Sequence, residues 1–470
     1  MHMLDAGRPL SEAERRALLT EASERSIRYL ADVNARAVTC SPAALRRLAS
    51  LREPLPEGPT EPVKVLRLLD QIGSPATVAT AGGRYFGLVI GAALPVTIAA
   101  NWLATAWDQN AVFRWTSPIA ATLEDVCLQW LGDIFQLPRG FGGAFVTGAT
   151  MASTVALTAA RHALLAKAGW NVEQHGLFGA PPINVIVSEE VHPTVLKALA
   201  LLGLGRDRVV RVPVDRQGRM QPGALPKLDD RTLICIQAGN VNTGSFDPAT
   251  EVCRAARDAD AWVHVDGAFG LWAMAAPNRA SLARGFQEAD SWATDGHKWL
   301  NVPYDSGLAF VRRADDLRVS MGLSAAYLAE GSAGDREPSH FTPELSRRAR
   351  AVEIWAALRS LGKRGLADLI ERCCRHAAQF ADGLQALGFE VLNDVVLNQV
   401  LVSFGSQKIT RAAIAKLQAG GVCWCGSTVW QGRTAMRISV SSWATTQHDV
   451  EVSLAAMANA VRSAAADVEG

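Results

Sequence analysis

Residues 262–311 open with WVHVDGAFG (262–270) and close with SWATDGHKWLNVPYDSGLAFV (291–311). Period-2 alternation in the first segment puts His264 and Asp266 on one side of a short strand and Val263 and Val265 on the other. Asp266 then stands at the strand end, followed by small residues, with Ala268 two positions on. In the second segment Lys298 sits in a Gly-His-Lys-Trp turn between two apolar runs, beside Trp299, Leu300 and Val302. A strand-end aspartate by itself is a common turn former. A lysine in an apolar strand-to-loop junction is different, because desolvation penalises its charged form and favours a neutral, nucleophilic amine.

Together the two residues have the chemistry of a pyridoxal phosphate site. The lysine amine can form a Schiff base with the cofactor aldehyde. The carboxylate can pair with the protonated pyridine nitrogen and keep the ring an electron sink.

Outward from this stretch, strands and helices alternate. GGAFVTG, INVIVSE, VVRVPVD, TLICIQAG, AWVHVDG, SWATDG and GLAFVRR predict seven strands, with helices over TVALTAARHALLAKAG and PTVLKALALLGL between them. That order implies a mostly parallel sheet covered on both faces, with ligands at the carboxyl ends of its strands. Thr147–Thr150, His192, Asn240–Gly244, Asp266 and Lys298 all follow a strand directly. The Gly148-Ala149-Thr150 turn opens a helix, whose first amides and dipole would make a phosphate cup.

The flanks read differently. SEAERRALLTEASERSIRYLADVN (11–34) predicts a helix capped by Ser11 with Glu14 three residues on. A Pro-rich linker (51–62) and a short helix ending at Gly73 complete an N-terminal helical arm, 1–75, too small for its own core. The run FGLVIGAALPVTIAANWLATAW (86–107) is broken by Pro95 and Asn101, so it predicts a buried strand and helix near the site, not a membrane span. A large α/β domain is assigned to 76–325. Residues 325–346 predict a mobile loop, followed by one or two long helices and a smaller α+β unit, and 326–470 is assigned to this last part of the chain.

Composition bounds the function. Of 470 residues, 49% are hydrophobic and 20% charged, and the net charge of +1 with no basic cluster argues against nucleic acid. The eight cysteines show no C-x-x-C or zinc-ligand spacing, so no metal is expected and the compartment reads as the reducing cytoplasm. The polar N-terminus is not a signal peptide.

His192 in SEEVHPTV, the HVDGA segment and the HKW turn together resemble the group II pyridoxal-dependent decarboxylases, among them the aromatic amino acid, tyrosine, histidine and glutamate enzymes. The resemblance runs from Tyr85-Phe86 to the strand bearing Arg437. It implies the fold-type I, aspartate aminotransferase-like architecture and a homodimer with active sites at the interface. It also implies decarboxylation of an L-amino acid, aromatic ones included. Lys298 matches the Schiff-base lysine, Asp266 the pyridinium partner, Ala268 the residue beneath the ring and His192 the stacking histidine. Gly148, Ala149 and Thr150 match the phosphate turn, Thr243 a threonine near the cofactor, and His297 the residue before the lysine. Tyr327, 29 residues after Lys298, falls where these decarboxylases keep a loop tyrosine that returns a proton to the substrate carbon. Tyr85, Phe86 and Arg437 are candidate substrate contacts. Asp295 is a further candidate cofactor contact, standing where several relatives have Asn, and Gly87-Leu88 replaces their Pro-Thr. Carbon–carbon lyase activity like that of sphingosine-phosphate lyase, and aminotransferase activity, are the rival enzyme readings.

Overall fold

The computed structural model describes residues 9–322 and 336–469. Seven strands form one sheet: β1 (Gly142–Val146), β2 (Asn184–Ser188), β3 (Val210–Val212), β4 (Thr232–Gln237), β5 (Trp262–Asp266), β6 (Ser291–Asp295) and β7 (Gly307–Val311). Their order is β1-β7-β6-β5-β4-β2-β3. The β3-β2-β4-β5-β6 block is parallel, and β7 runs antiparallel to both β6 and β1. Each strand corresponds to one of the seven segments read from sequence. β1, β4, β5, β6 and β7 are buried at every residue; β1 and β7 and the centre of β4 accordingly read as apolar runs, while β5 and β6 bring buried polar residues with them.

The helices before the sheet are α1 (Glu12–Asp32), α2 (Pro42–Arg47), α3 (Pro62–Gly73), α4 (Pro95–Trp107) and α5 (Pro118–Ile134). α1 carries the expected capping box between Ser11 and Glu14, and α4 and α5 begin with Pro, whose missing N–H costs nothing at that position. Within and after the sheet come α6 (Ala149–Lys167), α7 (Val172–His175), α8 (Pro193–Leu201), α9 (Ala249–Asp258), α10 (Ala314–Met321), α11 (Ala351–Ala386), α12 (Gln407–Gly420) and α13 (Gln447–Glu469). α11 is two helices merged across a kink at Gly362, where φ is 58°. α6 lies on the sheet through Ala152, Val155, Ala156, Ala159, Ala160 and Ala163, small residues that let helix and strands approach closely. A second sheet of four strands, β8 (Glu390–Val391), β9 (Gln399–Ser403), β10 (Gly426–Trp430) and β11 (Arg433–Ser439), is ordered β10-β11-β9-β8.

Two compact units emerge. One comprises 1–87, 403–436 and 444–470, and the other 88–402 and 437–443. The boundaries read from sequence at 75 and 325 therefore shift. The N-terminal segment is not a lone arm, because it is hydrogen-bonded to C-terminal chain of its own unit. Val38 N–H donates to Gly421 O and Phe86 N–H to Trp424 O, both at 2.8 Å, and Thr445 Oγ1 donates to Gly83 O at 2.9 Å.

The run 86–107 also needs correction. No strand forms in it, and α4 buries only Thr97 while Val96, Trp102, Leu103 and Trp107 are exposed. High apolar content marked the helix as a core element, but hydropathy cannot tell a face covered by its own chain from one left open. No described helix is long and apolar enough to cross a membrane.

Candidate active site

Register aligns the ends of the central strands. Val146 of β1 and Asp295 of β6 both pair with Gly307 on β7, while Gln237 of β4 pairs with Asp266 of β5. Above these ends opens a cavity of about 350 Å³, lined by Thr147–Met151, His192, Thr194, Gln237, Gly239, Val241, Asp266, Ala268, Phe269, Asp295, His297 and Lys298. Nine of the ten residues read as cofactor contacts thus meet in one place: Gly148, Ala149, Thr150, His192, Asp266, Ala268, Asp295, His297 and Lys298.

Thr243 is the tenth, and it is not a cavity residue. It is fully buried, and its hydroxyl donates to Gln217 O at 2.7 Å and bonds Ser245 Oγ at 2.9 Å. Its loop folds back on itself, with Asn240 Oδ1 accepting the N–H groups of Asn242 and Thr243, and Val241 faces the cavity in its place. Tyr327 lies outside the described residues. Tyr85 and Phe86 belong to the other unit, where Tyr85 stacks on Trp424 at 5.1 Å and Phe86 is buried. Arg437, on β11, is not among the lining residues, though its charge acts on His192. Trp102, Trp107, Phe113 and Trp115 do not line the cavity either. Gln237 was missed, although its position at the carboxyl end of a parallel strand was available as a signal.

Lys298 Nζ lies 3.0 Å from Oδ2 of Asp295, a side chain with 3% exposure. Asp295 Oδ1 accepts the N–H of Ala149 at 2.5 Å and faces His297 Nε2 at 3.4 Å. His297 Nδ1 accepts the Ser306 N–H at 3.1 Å, which leaves the ring proton on Nε2, and the Tyr304 ring lies against the imidazole at 4.3 Å. Burial pushes the His297 imidazole below its ordinary value, with Asp295 opposing. His192 caps α8. Its Nδ1 accepts the Thr194 N–H and bonds the Thr194 hydroxyl at 2.6 Å, which leaves the proton on Nε2. Burial holds His192 below its usual value, against the pull of Asp266, so the neutral ring prevails near pH 7. Asp266 Oδ1 accepts the Ala268 N–H at 3.2 Å, and the carboxylate is 7% exposed.

Close backbone packing sets the shape. A Cβ on Gly307 would stand 2.4 Å from Gly148 Cα, and one on Gly91 would stand 1.9 Å from Lys298 O. Among the described residues no cluster of metal-ligating side chains is present.

The site fits pyridoxal phosphate. It offers an amine for the aldehyde, a carboxylate for the ring nitrogen, an imidazole and a small alanine along the walls, and a helix start with amides that have no intrahelical partner.

Residues 81–406 match the family model described as the pyridoxal-dependent decarboxylase conserved domain. An aromatic-L-amino-acid decarboxylase of Bacillus atrophaeus is 27% identical over 349 residues, covering 72% of this chain and 69% of that protein. The aromatic-L-amino-acid decarboxylase of Sus scrofa is 28% identical over 355 residues, covering 70% and 72%. In structure, Oryza sativa TDC with PLP and tryptamine superposes with a TM-score of 0.89 at 22% identity, over 97% of this chain and 99% of that one. Mouse CSAD superposes at 0.88 and 20% identity, over 96% and 99%.

Proposed function

Since the chain belongs to the pyridoxal-dependent decarboxylase family, and is thus a carboxy-lyase that uses pyridoxal phosphate on an amino acid, we propose that Lys298, Asp266 and the Gly148-Ala149-Thr150 turn hold that cofactor. The observation that carries this reading is the convergence of Lys298, Asp266 and the α6 start on one cavity at the strand ends. Bound there, pyridoxal phosphate supplies a conjugated electron sink for the pair left on the α-carbon when CO₂ departs.

Each residue then has a task. Lys298 would supply the amine that holds the cofactor at its aldehyde. Asp266, nearly buried at the end of β5, holds the proton on the ring nitrogen, which keeps the sink effective. The α6 amides receive the phosphate. Neutral His192, its Nε2 carrying the proton, positions the ring and can donate to a substrate carboxylate. Tyr327 is proposed to help return the proton to the α-carbon.

An L-aromatic amino acid is the favoured substrate. Two relatives carry that specificity in their names. Lys298 is also the one Lys or Arg among the described residues lining the cavity, which disfavours a second substrate carboxylate. A homodimer is favoured by α4, whose exposed Val96, Leu103 and Trp107 fall on one stripe at i, i+7 and i+11 with Trp102 beside them. Eight free, buried cysteines suit the reducing cytoplasm.

The deciding experiment pairs the visible absorption spectrum of wild type and Lys298→Ala with CO₂ release from carboxyl-labelled amino acids. A cofactor band lost in the variant, with CO₂ from an aromatic amino acid, is the expected result. A bound cofactor without CO₂ from any amino acid would overturn the decarboxylation.

A further inference from the structure

Asp295 closes β6 at the point where three walls of the cavity meet. Its side chain is 3% exposed and takes the Ala149 N–H of the α6 start at 2.5 Å. The His297 Nε2 lies 3.4 Å from the same oxygen, and the Lys298 ammonium lies 3.0 Å from the other. Helix amide and imidazole N–H are the donors an incoming phosphate would use, and both face Asp295 Oδ1. The anion cup therefore already holds an anion, and that anion is part of the chain.

Its backbone is not free to withdraw. Asp295 N–H donates to Ala268 O at 3.0 Å, Asp295 O accepts Trp272 Nε1 at 2.9 Å, and the residue is in register with Gly307. Only the side-chain torsions can move the charge, and they move it by a short distance inside a buried site.

We propose that Asp295 is a built-in competitor of the cofactor phosphate, a specificity-determining residue for cofactor capture. It caps α6 and pairs Lys298 in the cofactor-free protein, and it makes the loaded protein hold pyridoxal phosphate less tightly than a neutral side chain in its place would. The inference rests on the reading of this cavity as the cofactor site. Carboxylate and phosphate repel each other where little water screens them, and the 3.0 Å Asp295–Lys298 contact must be broken before the amine can be used. Asn at this position would keep the Oδ1 acceptor for Ala149 and remove the charge alone.

The test uses wild type and Asp295→Asn stripped of cofactor, then titrated with pyridoxal phosphate, with pyridoxal and with inorganic phosphate. Binding is followed by visible absorption and by the shift in melting temperature. The variant is expected to bind pyridoxal phosphate about tenfold more tightly or better, with slower release, as expected for one repulsive charge pair removed. Pyridoxal should gain much less, and inorganic phosphate should stabilise the variant where it leaves wild type unchanged. Equal or weaker binding of pyridoxal phosphate by a variant with wild-type circular dichroism would overturn the proposal, because Asp295 would then be a partner of the bound cofactor. An equal gain for pyridoxal would overturn it too, by placing the whole effect on Lys298. Asp295→Ser, also neutral, repeats the comparison if the Asn variant does not fold. Failure of wild type itself to take up pyridoxal phosphate would overturn the cofactor reading along with it, and that result differs from equal binding by both proteins.

Discussion

The side-chain amide of Asn301 donates to the carbonyl oxygen of Lys298 at 3.2 Å, so the turn that presents the reactive amine is held from behind. The same amide donates to Trp299 O at 2.9 Å and Ser441 O at 3.0 Å, and its oxygen accepts the Trp443 N–H at 2.8 Å. Asn301 is fully buried and has φ of 57°, a left-handed conformation that Asn tolerates better than most residues.

Asn301→Ala should therefore cost about 3–4 kcal/mol of stability, since several buried polar groups lose their partner. Asn301→Gly relieves the left-handed strain and should recover about 1 kcal/mol of that. Both variants should lose affinity for pyridoxal phosphate. Urea unfolding with a parallel cofactor titration checks this, and equal stability of the Ala and Gly variants would count against the strain argument.

Gly307→Ala tests the cup from below. Its new Cβ would stand 2.4 Å from Gly148 Cα, a backbone atom that can yield only by moving the phosphate turn. A stability loss of about 1–3 kcal/mol and at least tenfold weaker cofactor binding are expected. Gly58→Ala, with nothing within 4 Å of the added methyl, should be silent in both assays. Unchanged cofactor affinity in Gly307→Ala would show that the turn has slack.

Much of this architecture was legible in the sequence. Five of the seven strands are buried on both faces, and apolar stretches such as LICI in β4 helped to mark them, while strand ends marked Asp266 and the cup. Lys298 was legible because a charged group in apolar company is costly. What escaped was set by pairing between distant segments. Asp295 reaches Ala149 only because β7 brings the ends of β1 and β6 to the same level, and no local pattern encodes that register. The role of Asn301 depends on a positive φ, which residue identity alone does not announce. Thr243 was placed near the cofactor by resemblance to the family, yet its loop turns the hydroxyl back toward Gln217.

His264 gives a pH prediction. It is fully buried on β5 between Ser291 Oγ at 3.0 Å and Ser153 Oγ at 3.4 Å, and burial pushes its imidazole from 6.5 down to about 3. Its folded-state value is depressed, so the unfolded chain binds the extra proton. Above 6.5 both states are neutral and no stability is lost; as pH falls from 6.5 toward 3, stability declines. The slope from this one residue is about 1.4 kcal/mol per pH unit. Urea unfolding at pH 7, 6 and 5 should show a shallower pH dependence for His264→Gln than for wild type. Parallel curves would mean that His264 takes up its proton in the folded protein as readily as in the unfolded chain.

A buried ionic cluster joins α5 to the chain that follows residue 335. Glu124 on α5, fully buried, lies 2.6 Å from Arg347 Nη1 and 2.8 Å from Arg336 Nη1. Arg336 also donates to Gly143 O at 2.7 Å, which ties this segment to β1. One carboxylate thus serves two guanidinium groups, and the two partners are not equivalent to lose. Glu124→Gln leaves two cations in a poorly solvated place and should cost about 3–5 kcal/mol. Arg347→Met leaves one balanced pair, Glu124 with Arg336, and fills the space with an unbranched apolar chain. It should cost under about 2 kcal/mol. Urea midpoints at constant slope decide the matter. If Arg347→Met proves the more damaging of the two, the cluster is held by the geometry of Arg347 and not by charge balance around Glu124.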